Sequence, residues 1–394
     1  MKLQAQSSRE LNLALGKSSK CLAGKNTIAI LDNVLLTQNE RGKFFFTSST
    51  SDSQLIIPAP LTVIEGKFDK PVVLPVKTIT QFLATLPDCS VTFDFVDKRT
   101  LSLEYCTTIG DKIKSGKVSL VYSDGEEFPQ MRKPSEESLH ISLPGGVFRE
   151  VIEKARSFIV ADEIRPVLNG LCIDVADDLA EVVFVATSGY SLFKRTLSNN
   201  PAKGGADFYR SGNPAKMLIH IQYFRPLSVF ANFDQIEVES DGHIIRISSG
   251  DTEFMCKAIE GRYPNYNSVI PRDNPYFINF DKKEMNAVLR RVAMFSSESP
   301  NMIELKKDGL FLKVFAQDID FGLSADDEVI INGSNCMDNF RIGFKASSLI
   351  DVINAIDGDI IRMALSDPTR AGVVTADEPS PQILTLVMPM ILED

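Results

Sequence analysis

Two acidic pairs, Asp318/Asp320 and Asp326/Asp327, are the side chains whose type and spacing come nearest to metal chemistry. Carboxylate oxygens are the hard ligands that Mg²⁺ prefers, and a metal-dependent nucleic-acid-processing enzyme is the activity such pairs would serve. Asp318-Ile319-Asp320 alternates beside an apolar run, however, a pattern that turns carboxylates toward solvent. The three histidines, His140, His220 and His243, stand at no zinc-site spacing from a cysteine or from each other. They also assemble no Ser/His/Asp or Cys/His arrangement. Cys21, Cys89, Cys106, Cys172, Cys256 and Cys336 are scattered without a C-x-x-C pair and read as buried thiols of a reducing compartment. No G-x-x-x-x-G-K-S/T loop occurs, and the Gly-Gly pairs at 145–146 and 204–205 read as turns. The residues therefore predict neither a catalytic centre nor a cofactor nor a transition-metal site.

The elements that would position any such residues recur along the chain. Lys77, Lys216 and Lys345 each open an apolar, helix-like run, at separations of 139 and 129 residues. Phe128-Pro129, Tyr263-Pro264 and Met388-Pro389 each close a unit, at separations of 135 and 125. A period of that length is a whole domain, not a solenoid repeat. The apolar spacing predicts helices over 7–23, 77–86, 147–159, 213–231, 281–296 and 345–357. In the fourth, Pro214 suits the first turn and Pro226 should shorten the run. Alternating segments predict strands at 33–36, 43–47, 91–95, 171–175, 182–186, 303–305, 310–315, 360–365 and 383–387, and Asp241-Gly242 and Asp308-Gly309 signal hairpins. The expectation is an α+β chain of three repeated domains, 1–134, 135–272 and 273–394, with two helices and antiparallel sheets in each.

The formal net charge is −10, which opposes simple nonspecific affinity for nucleic acid. Its distribution is uneven: the six predicted helices together carry +7 and the remainder −17. Such a basic helical layer attracts phosphates to one surface while the rest repels them. No apolar run approaches the roughly 20 residues of a membrane span. The first residues, Met1-Lys2-Leu3-Gln4-Ala5-Gln6-Ser7, lack the apolar core of a signal peptide, so a cytoplasmic protein with no membrane partner is expected.

Several strings carry a resemblance. Asp162-Glu163-Ile164-Arg165-Pro166-Val167-Leu168-Asn169-Gly170, Glu260-Gly261-Arg262-Tyr263-Pro264 running on to Pro271, and Val387-Met388-Pro389-Met390 resemble the bacterial DNA polymerase III beta subunit, the sliding clamp. Val185-Ala186-Thr187-Ser188-Gly189-Tyr190-Ser191-Leu192 is similar to the family string ATDGHRL, and Gly24-Lys25-Asn26-Thr27 with Ile28–Leu31 to G-R-x-T-L-P-I-L. Together these run from near residue 24 to residue 390.

The resemblance implies three domains of one fold per subunit and a head-to-tail homodimer ring, helices toward the hole and sheets outside. It implies a non-catalytic processivity factor that encircles duplex DNA without reading sequence and tethers the polymerase alpha subunit, the clamp loader and other partners. A diverged paralogue with altered partners is the alternative from the same fold. The peptide groove is implied at Leu168, Thr187, Gly189, Tyr190, Ser191, Leu192, Pro264, Ser268, Val269, Leu386, Val387, Met388, Pro389 and Met390. DNA contacts are implied at Lys25 and Arg165 and, by helix register, at Lys77, Lys216, Arg290 and Arg291. The subunit seam is implied at Val118 and Leu120 against Met294 and Phe295. The chain departs from the family where Ser188, Tyr190 and Ser191 replace Asp, His and Arg, and where Ile391 replaces a basic residue before Leu392-Glu393-Asp394. With two cation-capable side chains gone from that turn, groove peptides are expected to depend on apolar anchors more than on acidic residues.

Overall fold

Ser7, three residues ahead of Glu10, starts the first helix, Ser8–Ser18: its hydroxyl accepts the Glu10 amide hydrogen at 3.1 Å, and Leu11 and Leu15 go into the core. Asp281 does the same for Lys282–Ala293, accepting from Glu284 at 2.8 Å. That helix buries Met285, Val288, Leu289 and Val292 and ends on Arg290 and Arg291, where cations suit the helix dipole. The remaining α-helices are Val76–Leu83, Gly145–Ala155, Phe224–Leu227 and Ala346–Ala355. The computed structural model describes every residue except 23–25, 27, 110–111, 202–203, 211–215, 379–381 and 393–394.

The helix predicted over 213–231 is different in the structure. Lys216–His220 is a strand, followed by a short helical stretch through Ile221–Tyr223, Phe224–Leu227 and Ser228–Asn232. Met217, Leu218 and Ile219 are all buried, as a strand covered on both faces requires, and the run of apolar residues concealed the change of period. Pro226 lies in the short α-turn, as its missing amide hydrogen demands, while Pro214 lies outside the described residues. In each repeat the second helix directly follows a strand: Val72–Leu74, Lys216–His220 and Arg341–Lys345. The third closer is also out of step. Met388 follows its strand at once, whereas Phe128 and Tyr263 come after loops that leave Lys112–Val121 and Thr252–Lys257.

Two units result. One comprises Met1–Arg149, Asp207–Pro214 and Gln222–Ala258; the other comprises Glu150–Ala206, Ala215–Ile221 and Ile259–Asp394. The first unit holds a five-stranded sheet, ordered Thr62–Glu65, Lys2–Ala5, Ser90–Phe95, Thr100–Ile109, Lys112–Val121, and a ten-stranded sheet. Within the ten-stranded sheet Ser53–Ala59 pairs antiparallel with Thr252–Lys257, with Cys256 opposite Ser53. The second unit has a thirteen-stranded sheet in which Ser191–Ser198 pairs antiparallel with Ile383–Val387, with Val387 opposite Ser191. Each ladder joins half of the middle repeat to a neighbouring repeat, which is why chain contacts gather into two bodies.

Candidate functional site

In the second unit the strands Lys216–His220, Gly170–Val175, Glu181–Thr187, Ser191–Ser198 and Ile383–Val387 are consecutive neighbours. Side chains alternate across a sheet, so register fixes which residues share a face. Cys172 stands opposite both Leu218 and Val185, and Leu192 stands opposite Leu386. Leu168, Tyr263, Tyr266 and Ala371 join these residues in one buried cluster, with Val167, Ile259, Ile270 and Met388 half-buried against it. The result is an apolar trough whose rim carries flexible Met388, suited to more than one apolar guest.

A turn tied by its own side chains forms one lip. The Thr187 hydroxyl donates to the Ser191 carbonyl at 2.7 Å and accepts the Gly189 amide at 3.0 Å; the Ser188 hydroxyl accepts the Ser191 amide at 3.1 Å. Gly189 has φ +89°, and a Cβ there would stand 3.3 Å from the Arg165 guanidinium, so glycine meets both constraints. Tyr190 is held outward, 71% exposed, while its carbonyl accepts the Met388 amide at 2.8 Å. The two lips of the trough, Tyr190 and Met388, are thus locked side by side.

The groove residues implied by resemblance divide into those the structure gathers and those it does not. Leu168, Leu192, Leu386 and Met388 meet in the cluster, and Thr187, Gly189, Tyr190 and Ser191 build the lip. Pro264, Ser268 and Val269 stay exposed beyond Tyr263. Val387 packs near Gly372 on the opposite, core side of the sheet. Pro389 and Met390 form a short strand on Gly343-Phe344, and Met390 lines a separate cavity of about 470 Å³ with Phe315, Ile391 and Leu392. Tyr263, Tyr266, Ile259 and Ile270 complete the trough and are missing from the sequence-based set. Their signal was available: all four lie in or beside the string Glu260–Pro271, interleaved with polar residues.

The basic residues have distinct surroundings. Arg165 pairs with Asp162 (2.8 and 2.9 Å) at the edge of the Gly189 turn; the Arg165 amide first, then this guanidinium and the Ile164 amide, hold the Asp162 carboxyl below its usual range. Lys216 pairs with Asp174 at 2.7 Å and lies on a strand. Arg291 pairs with Asp327 at 2.6 Å. Lys77 and Arg290 are exposed on their helices, and Lys25 lies outside the described residues. The acidic pairs do not act as pairs. Asp318 is buried, contrary to its solvent-facing expectation, because its carboxylate accepts the amides of Asp320 and Phe321 at 3.1 and 3.3 Å and caps a turn. Asp327 answers Arg291. Among the described residues no group of three or more His, Cys, Asp or Glu is placed to hold a metal ion, and no helix is long and apolar enough to cross a membrane.

Val118 and Leu120 lie half-buried on Lys112–Val121, the edge strand of the five-stranded sheet. Met294 (72% exposed) and Phe295 (37%) end the helix Lys282–Ala293, whose Arg291 reaches the strand Leu323–Ser334. Along Leu323–Ile330 that strand is paired on one side only, by Phe311–Asp318.

A repeated α+β unit joined edge to edge, with an apolar trough beside one such joint, defines a multidomain scaffold that binds rather than transforms. Models of the DNA polymerase III beta subunit match it: the central domain at residues 142–265 and the C-terminal domain at 267–391. The beta sliding clamp of Caulobacter vibrioides is 27% identical over 388 residues, covering 96% of both chains, and that of Synechococcus elongatus 27% identical over 393 residues, covering 97% of both. In fold, a sliding clamp of Pseudomonas aeruginosa bound to griselimycin superposes with a TM-score of 0.84 at 22% identity over all of both chains. The chain belongs to the DNA polymerase III beta subunit family, the beta sliding clamps. It is a non-catalytic processivity subunit of DNA replication.

Proposed function

We propose that two copies of this chain close head to tail around duplex DNA, each seam joining the edge strand Lys112–Val121 of one copy to Leu323–Ile330 of the other. The observation that carries this is a pairing made twice inside the chain and left open at its ends. The fourth strand of one repeat pairs antiparallel with the last full-length strand of the next, at Ser53–Ala59 with Thr252–Lys257 and at Ser191–Ser198 with Ile383–Val387. Counted back from Phe128 and Tyr263, Val121 corresponds to Cys256; counted from the preceding turns, Leu323 corresponds to Ser53 and Ser191. Where the joint exists, Cys256, Ser53 and Ser191 are 0%, 2% and 4% exposed; at the open ends Val121 is 70% and Leu323 45% exposed. Unpaired edges of this kind invite another chain. Met294 and Phe295, on a helix end tied to this strand through Arg291 and Asp327, would flank the seam.

Domains at 1–134, 135–272 and 273–394 follow from that repetition, and the positions of the two matching domain models support it. The trough around Leu168, Leu192, Leu386 and Met388 receives short peptides of the polymerase alpha subunit, the clamp loader and other partners, with Pro264, Ser268, Val269 and Pro389 as its outer surround. Lys77 and Arg290 meet DNA phosphates, with Lys25, Lys216 and Arg291 as further contacts. Such contacts hold DNA without reading bases. Arg165 serves the groove lip as readily as DNA, since its guanidinium stands beside Gly189. The protein works in the cytoplasm. Sedimentation with nicked circular DNA after loading tests the proposal: the protein should remain on the circle and leave once the circle is cut. Equal retention on linear DNA would refute topological binding.

A further inference from the structure

The turn at residues 187–191 lacks the basic side chains of its family, yet the face it borders does not end in apolar residues. Side chains at 192, 194 and 196 share one face of the strand Ser191–Ser198, because successive residues alternate. Leu192 lies in the trough; Lys194 is one step along, opposite Val185 on one neighbouring strand and Leu384 on the other. Its ammonium stands 6.0 Å from the centre of the Tyr266 ring, itself part of the trough, and Lys216 stands 5.7 Å from the same ring. The two cations differ in state. Lys216 is answered by Asp174 at 2.7 Å, and Asp174 also accepts the Tyr266 hydroxyl at 2.9 Å. Lys194 is half-buried with no carboxylate of a described residue within 4 Å. A lysine stem laid along apolar surface keeps its charged head toward water, so here a cation faces the end of an apolar trough.

We propose that the groove recognises a carboxylate next to the peptide's apolar anchors, and that Lys194 is the specificity-determining cation that receives it. Neighbouring same-face positions on a strand are roughly 7 Å apart. A carboxylate near the anchor that fills the space beside Leu192 is therefore within reach of Lys194, and the Tyr266 ring positions the ammonium from beneath. Asp174 marks Lys216 as structural and leaves Lys194 available. This rests on the groove reading above. It departs from the expectation that groove peptides depend on apolar anchors more than on acidic residues, which considered only the turn.

The test uses the full-length protein and three fluorescein-labelled octapeptides with identical Leu and Phe anchors. One carries Asp between the anchors and an amidated C-terminus, one Asn with an amidated C-terminus, and one Asn with a free C-terminal carboxylate. Fluorescence anisotropy should show the Asp peptide, the free-carboxylate peptide, or both binding about tenfold more tightly than the amidated Asn peptide, the arm that gains identifying the source of the carboxylate. In Lys194→Met that preference should vanish while the amidated Asn peptide keeps its affinity, and Lys194→Arg should restore it. Lys216→Met should retain the preference. Equal binding of all three peptides to the unaltered protein would overturn the proposal while leaving the groove intact. A preference that survives Lys194→Met but is lost in Arg165→Met would overturn it in favour of the lip. Failure of every peptide to bind would overturn the groove reading itself, and this proposal with it.

Discussion

Val121→Asp should convert the protein to a monomer without unfolding it. Val121 is 70% exposed in the single chain, so the substitution removes almost no intrachain packing and should change stability by at most about 0.5 kcal/mol. In the closed dimer the same position is predicted to be covered as completely as Cys256, opposite Leu323 of a second copy. An unpaired carboxylate buried there costs about 3–5 kcal/mol, and a closed dimer has two such seams, so the total is about 6–10 kcal/mol. That lowers the association constant by more than about four orders of magnitude. The ladders inside the chain contain four and five residue pairs, and a seam of similar length, at about 1 kcal/mol per hydrogen bond, cannot absorb such a loss. Light scattering and sedimentation velocity at micromolar concentration should show a monomer with an unchanged far-ultraviolet circular dichroism spectrum. Adding Leu323→Lys in the same chain places opposite charges across both seams and should recover the dimer at low salt. A Val121→Asp protein that remains dimeric, or a double variant no better than the single, would refute the register argued from the internal ladders.

Met388→Ala should weaken groove peptides about tenfold with little change in melting temperature, because Met388 is only half-buried, whereas Leu192→Ala should cost about 2–5 kcal/mol of stability and is a poor binding probe; calorimetry separates the two. Lys77→Gln and Arg290→Gln should each lower the salt dependence of DNA binding by about 0.9 in log–log slope if each neutralises one phosphate, and an unchanged slope would remove them from the interface. Asp241 offers a pH test. Burial would raise its carboxyl, yet hydrogen bonds from the amides of Ile244, His243 and Ser135 and from Arg132 hold it at about 2, below the ordinary 3.8. A depressed pKa contributes stability that is complete above 3.8 and lost as pH falls through 2. The melting-temperature advantage of the unaltered protein over Asp241→Asn should therefore shrink between pH 4 and pH 2; a constant gap would mean the carboxylate is not the source.

Much of the architecture was legible because the apolar period changes sharply between elements. The apolar spacing over 7–23 and 281–296 announced helices, whose starts the structure caps with Ser7 and Asp281, and Asp308-Gly309 announced its hairpin. The fourth helix failed for a physical reason: Met217-Leu218-Ile219 is apolar at every position, and a strand buried on both faces leaves no period to distinguish it from a helix. Leu192 and Met388, named from their motifs, share one apolar cluster in the structure. Val387 packs by Gly372 and not in that cluster, because adjacent positions of a strand face opposite ways.

Sequence alone determined the repetition, the net acidic charge, the positions of most strands and the family strings, since these depend on local propensity, period and composition. Tertiary structure decided which residues act together. In the sequence Lys194 is an ordinary lysine; only the register that sets it between Val185 and Leu384, with its ammonium over the Tyr266 ring, places it at the end of the trough. Likewise Val121 and Leu323 are two apolar residues 202 positions apart, and only the ladders at Ser53–Cys256 and Ser191–Val387 supply the register by which the proposed dimer would pair them. Register is a property of paired strands, and no single strand contains it.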